Sequence, residues 1–120
     1  NVITSLGKIG CKSVVIISAG LNDTPSSINA KPNKNGKFET VLDVVYKNMN
    51  KYGIRVIGPN CIGILSTHGG VNGSFSASSA IKGNIALVSQ SGAVACSIID
   101  WAKGNNRHIL LHILIWHREQ

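Results

Sequence analysis

Apolar positions in this chain come in short blocks set off by small polar residues, and the sharpest block lies at residues 84–93. In Asn84-Ile85-Ala86-Leu87-Val88-Ser89-Gln90-Ser91-Gly92-Ala93, the side chains of Ile85, Leu87 and Val88 predict a short buried central strand. Residues 89–92 interrupt the pattern, and Ala93, Val94, Cys96, Ile98, Ile99 and Trp101 then predict a largely apolar helix. Ile54, Val56 and Ile57 read as a second buried strand, closed by the strong turn signal Gly58-Pro59-Asn60. Ser-Val-Val-Ile-Ile-Ser at residues 13–18 predicts a parallel strand, near-continuously apolar because helices would cover both faces. Residues 1–10 read as the tail of a helix. Residues 38–51 predict an amphipathic helix with Phe38, Val41, Leu42, Val45 and Met49 on one face. Strands alternating with helices imply an α/β fold. Between them, residues 22–36 form a polar loop longer than compact domains usually carry, and residues 67–82, rich in Gly, Ser and Ala, show no clear element.

A strand that turns tightly into a helix presents unpaired backbone N–H groups and the positive end of the helix dipole. Serine hydroxyls and a glycine in that turn allow a phosphate oxygen to come close, so Ser89, Gln90, Ser91, Gly92 and Ala93 are candidate phosphate-binding residues. The alternative is that Ser89 or Ser91 acts only as a helix N-cap. In the second block, Pro59 fixes its own φ and is expected to push Gly58 toward an extended conformation, displaying Asn60 and Cys61 at the carboxyl end of a strand. Open α/β sheets place their ligands there. A plain turn with a buried thiol satisfies the same pattern.

Together, Arg55-Val56-Ile57-Gly58-Pro59-Asn60-Cys61-Ile62-Gly63 and Gly83-Asn84-Ile85-Ala86-Leu87-Val88-Ser89-Gln90-Ser91-Gly92-Ala93 resemble the ADP-forming acyl-CoA synthetases. These include the ADP-forming acetyl-CoA synthetases and, more distantly, the α subunit of succinyl-CoA synthetase. The resemblance runs from about residue 14 to residue 104, and the loop at 22–36 interrupts it as a surface insertion. It implies a truncated Rossmann-like CoA-binding domain over residues 1–81, followed from residue 82 to 120 by the start of a flavodoxin-like ligase domain. By that resemblance, residues 89–93 hold the phosphoryl group of an acyl phosphate or phosphohistidine. Gly58, Pro59, Asn60 and Cys61 border the acyl group and the thiol end of CoA, and Ser18, Ala19 and Gly20 form a turn beside the CoA.

The implied activity interconverts acyl-CoA, ADP and phosphate with carboxylic acid, CoA and ATP, with acetate as the expected acid. CoA is a substrate. ADP or ATP with Mg2+ is expected to bind elsewhere in the full-length enzyme, on an ATP-grasp domain or β subunit. The phosphorylated histidine is expected beyond residue 120, and His68, in Thr67-His68-Gly69-Gly70, does not match its position. The same module occurs in protein acetyltransferases with an inactive synthetase portion, so a non-catalytic CoA-binding regulatory module is the competing reading. A nicotinamide-binding Rossmann domain is disfavoured, because no Gly-x-Gly-x-x-Gly follows a strand.

Composition narrows the picture only a little. A chain of 120 residues suits one domain and falls short of a multidomain synthetase, while 43% hydrophobic residues suffice for a core. The net charge of +7 is carried partly by Lys31, Lys34, Lys37, Lys47 and Lys51, on the polar loop and the helix after it. No aromatic interleaving or nucleic-acid motif accompanies them, so neither nucleic acid nor membrane is an expected partner, and a lysine-rich surface suits an anionic ligand such as CoA. Cys11, Cys61 and Cys96 have neither metal-ligand spacing nor an even number for disulfides, and no apolar run is long enough to span a bilayer. Cytoplasmic location is the resulting expectation. Residues 107–120 hold three of the four histidines and depart from the family pattern, as a frameshifted or misassembled coding sequence would. His108 and His112 are spaced i, i+4, but no Glu adjoins His108 and no third ligand is evident, so no metal site is expected.

Overall fold

The computed structural model describes residues 2–77, 79, 81–105, 107 and 109–110. It is a mixed helix and sheet structure with the order α1 (Val2–Lys8), β1 (Ser13–Val15), α2 (Val41–Tyr52), β2 (Arg55–Ile57), β3 (Gly63–Ser66), β4 (Val71–Ser74), β5 (Ile85–Ala86), α3 (Gly92–Gly104) and β6 (Ile109–Leu110). The described residues divide into two compact units, one of residues 2–14 and 18–56, the other of 15–17 and 57–110.

In the first unit α1 packs on α2. The approach is close at Gly7, where a Cβ would lie 2.3 Å from the Tyr52 ring, so no larger residue fits without a shift. Ile3, Leu42, Val45 and Ile54 are its buried apolar side chains. Helix α2 begins later than the apolar pattern predicts. Thr40 is the N-cap, forming a capping box with Asp43, and Gly53 closes the helix in the left-handed conformation at φ 64. Phe38 therefore lies outside the helix and is 46% exposed, a correction to its expected place on the buried face. A local cap won over apolar spacing.

The polar loop is pinned at its base by Val41 N–H to Thr24 O (2.9 Å) and Ser26 N–H to Glu39 O (2.8 Å). Asn33 Oδ1 accepts from the N–H groups of Asn35 and Lys37 within it. β1 and β2 form a two-stranded sheet. β1 is shorter than predicted and carries little cover, with Val15 36% exposed and Ile17, beyond its end, 51% exposed, so the expectation of a strand buried on both faces fails here.

The second unit centres on Cys61, Ile62, Leu65, Ala95, Ile99 and Ala102, with Ile57, Leu87, Cys96 and Ile98 packed around them. Ala95, Ile99 and Ala102 follow the i, i+4, i+7 spacing of one helix face, and burying the Ile99 side chain contributes about 1.5–3 kcal/mol. Residues 63–74 form an antiparallel hairpin in the register Gly63↔Ser74, Ile64↔Gly73, Leu65↔Asn72, Ser66↔Val71. The stretch from residue 67, expected to lack structure, thus contains β4. Its residues are largely exposed and owe their strand to backbone pairing with β3, so no apolar alternation marks it. β5 pairs in parallel with β6, Ile85↔Ile109 and Ala86↔Leu110. It too is less buried than a central strand, with Ile85 50% exposed, and Val88, predicted to belong to it, lies beyond its end and is 81% exposed.

Candidate functional site

The turn after β2 is shaped by what its residues lack as much as by what they carry. Gly58 adopts φ 91, not the extended conformation expected of a residue before proline, and the Gly58–Pro59 peptide is cis. A Cβ at Gly58 would sit 2.1 Å from the carbonyl oxygen of Ile16, so glycine alone lets the two backbones meet. Asn60 follows with φ 53, a left-handed conformation that Asn tolerates better than most residues. Gly58, Pro59 and Cys61 are buried while Asn60 is exposed. The Cys61 thiol donates to the Ile16 carbonyl at 3.3 Å, so its hydrogen is directed into the protein.

At the other motif, Ser91 is the N-cap of α3. Its hydroxyl accepts from the Val94 N–H at 3.4 Å, in the expected capping geometry. Ser89 Oγ accepts from Ser91 N–H (3.1 Å) and donates to Ser91 O (3.0 Å), bracing the turn. With the Val94 amide taken up by the cap, the first-turn amides of Gly92 and Ala93 are those a helix leaves without an intrahelical acceptor.

The two motifs converge. Asn60, Cys61, Ile62, Phe75, Gln90, Gly92 and Ala93 line one cleft of about 300 Å³. The described lining residues include two side-chain carboxamides, Asn60 and Gln90, and no acidic or basic side chain, so an anion there would meet amide dipoles and the start of α3. Gly58 and Pro59 adjoin the cleft in sequence, as do Ser89 and Ser91, without being among its lining residues.

Ser18, Ala19 and Gly20 belong to the first unit. Gly20 adopts φ 74, and its carbonyl accepts from Thr24 Oγ1 at 2.7 Å, which makes this a well-formed turn. His68 is exposed in the turn between β3 and β4. His108 and His112 lie outside the described residues. Sequence reasoning missed Ile62 and Phe75 as lining residues. A lone aromatic inside a Gly- and Ser-rich stretch was the available signal for Phe75.

No protein-family model matches the chain. It is 42% identical over 95 residues to the acetate–CoA ligase [ADP-forming] II subunit alpha of Pyrococcus furiosus, covering 78% of this chain and 18% of that protein. With the acetate–CoA ligase [ADP-forming] of Methanocaldococcus jannaschii it shares 38% identity over 102 residues, 85% of this chain and 13% of the relative. Among solved structures, the Ca. Korarchaeum cryptofilum dinucleotide forming acetyl-coenzyme A synthetase 1 in complex with phosphate and ADP superposes with a TM-score of 0.70 at 27% identity, covering 95% of this chain and 22% of that one. The chain thus spans less than a fifth of the length of the curated relatives it matches. Sequence and fold agree along most of its residues, and the chain belongs to the ADP-forming acetate–CoA ligase family, as a homologue of one part of those longer proteins.

Proposed function

We propose that this chain is the part of an ADP-forming acyl-CoA ligase that holds the acyl group, the thiol end of CoA and the phosphoryl group during transfer. Residues 1–81 are assigned to the CoA-binding module and residues from 82 to the start of the ligase module. One observation carries the reading. The turn at Asn60 and Cys61 and the helix start at Gln90, Gly92 and Ala93 line the same cleft. The family membership supports it, and the ligase names of the relatives favour it over a regulatory module of an acetyltransferase.

In the direction of ATP formation, a phosphate oxygen attacks the thioester carbonyl carbon. The C–S bond breaks, CoA leaves as its thiolate, and an acyl phosphate remains. A histidine nitrogen then takes the phosphoryl group, releasing the carboxylate, and ADP takes it from the histidine to give ATP. This chain's contribution is electrostatic. The Gly92 and Ala93 amides and the Gln90 side chain are preorganised donors for a transferring phosphoryl group, needing no reorganisation as its charge shifts. Asn60 supplies a donor on the acyl side. Ser18, Ala19 and Gly20 are assigned to the CoA. The histidine is assigned to residues beyond position 120, and the nucleotide and its Mg2+ to an ATP-grasp domain or β subunit. No group of three or more His, Cys, Asp or Glu side chains able to hold a metal occurs among the described residues. No described helix is long and apolar enough to cross a membrane, and cytoplasmic work on soluble substrates is part of the same proposal.

The test is Gly92→Val and Ser91→Ala in the full-length ligase, with histidine phosphorylation, CoA affinity and the melting curve measured together. Gly92→Val is expected to damage phosphorylation far more than CoA binding, because a β-branched side chain crowds the phosphate approach. Ser91→Ala removes one hydroxyl and leaves the amides, for a rate loss of about tenfold to hundredfold. A variant that phosphorylates normally and merely melts about 1 kcal/mol sooner makes residues 89–93 a helix cap and nothing more.

A further inference from the structure

We propose that Phe75 sets the length of the acyl group admitted to the cleft. The inference rests on the assignment of the acyl group to this cleft and adds to it the residue that selects among acids by length. Among the lining residues, Cys61 and Ile62 are each 3% exposed, so they offer the cleft little apolar surface. Asn60 and Gln90 are polar, and Gly92 and Ala93 are small. Phe75 differs from all of them, a large apolar side chain with 65% of its surface open. It is the one large apolar side chain among the described lining residues that is open to a ligand. An acid bound there has one orientation that matches both chemistries, its carboxyl end among the carboxamides and the start of α3, its alkyl end against the ring.

The ring's anchor is fixed. Phe75 directly follows β4, and its N–H donates to the Ile62 carbonyl at 3.1 Å, extending the hairpin ladder by one bond beyond the Gly63↔Ser74 pair. Ser74 is itself held, its N–H and Oγ both donating to Asn72 Oδ1 at 3.1 and 2.6 Å. Phe75 is thereby tied through its backbone to the segment that continues the Asn60 and Cys61 turn. A cleft of about 300 Å³ is at the small end of ligand pockets, and a phenyl ring on its wall occupies the room that added methylenes would need.

The experiment compares kcat/KM for acetate, propionate, butyrate and hexanoate in the full-length ligase, following phosphate released with acyl-CoA from ATP, CoA and acid. Phe75→Ala is expected to raise the hexanoate-to-acetate ratio of kcat/KM by about tenfold or more, the discrimination a few methylenes provide in an apolar site. Phe75→Trp is expected to shift the ratio the other way, depressing butyrate relative to acetate. Phe75→Leu keeps apolar cover without the ring and stands in if the alanine variant does not fold, with a smaller rise expected. An equal loss on all four acids, or an unchanged ratio in variants that fold, overturns the proposal and leaves the ligase reading intact. A wild-type enzyme that makes acyl-CoA from none of them overturns both.

Discussion

Gly58 and Cys61 show how one turn is built from mutual constraints. The missing side chain of Gly58 lets the Ile16 carbonyl come close, and the same carbonyl then accepts the Cys61 thiol hydrogen. A thiol that is 3% exposed and donates inward is placed for packing beside the site, with no His or Lys among the described cleft residues to activate it as a nucleophile. Cys61→Ser preserves the donor, so it is expected to cost about 1 kcal/mol or less in urea unfolding and to leave kcat and the KM values for CoA, acid and ADP near wild type. Trapping an acyl thioester on Cys61 would show this reading to be wrong. The sequence marked Gly58 and Cys61 as a pair of interest. Their shared partner Ile16 lies more than forty positions away in the chain, and no local pattern could name it.

At the scale of elements, caps and pairing decided more than apolar period did. The Thr40 hydroxyl accepts from the Asp43 N–H at 3.2 Å while Asp43 Oδ2 accepts from the Thr40 N–H at 2.8 Å, and that exchange starts α2. Thr40→Ala is expected to destabilise the protein by about 1 kcal/mol in a denaturant titration. The Thr40 backbone N–H, then its hydroxyl, hold the Asp43 carboxyl below its ordinary value of 3.8. A depressed carboxyl favours the folded state above that ordinary value, and the contribution disappears as pH falls through the lower folded value. Stability should therefore decline below about pH 4, and Asp43→Asn should flatten that decline, as thermal melts across pH 2–7 would register. Glu39, pulled down chiefly by its hydrogen bond from Lys47 and less by that from Ser26, acts in the same direction, though its exposure weakens the effect. An unchanged acid limb in Asp43→Asn would refute the assignment. Helix α3 shows the same primacy of the cap. Ser91 ends the polar break and starts the helix whose Ala95, Ile99 and Ala102 are buried.

For the whole molecule, family membership covers a stretch that is a small part of each relative, so the proposed activity is one this chain shares with residues elsewhere. The 120-residue chain alone is expected to give no phosphate-dependent ATP from acetyl-CoA and ADP, while the full-length ligase does, as a coupled assay against a no-protein control would record. The physical reason is that, among the described residues, the cleft lining offers dipoles and contains neither histidine nor a charged side chain. ATP formation by the chain alone would place the acceptor within these residues and refute the division of labour.

The α/β alternation, the two strand-to-turn motifs and the family they mark were legible in the sequence because they depend on local chemistry. Gly58-Pro59-Asn60 must turn, and Ser91 before an apolar run must begin a helix. Tertiary structure alone decided three other matters. It drew Asn60 and Gln90 into one cleft, a juxtaposition of residues thirty positions apart that no spacing rule encodes. It paired the polar β4 with β3 through backbone bonds that leave no trace in side-chain pattern, and so carried Phe75 to the cleft wall. It also left the apolar residues of β1 and β5 partly open, because apolar character makes a strand fit to be covered, and only packing neighbours cover it.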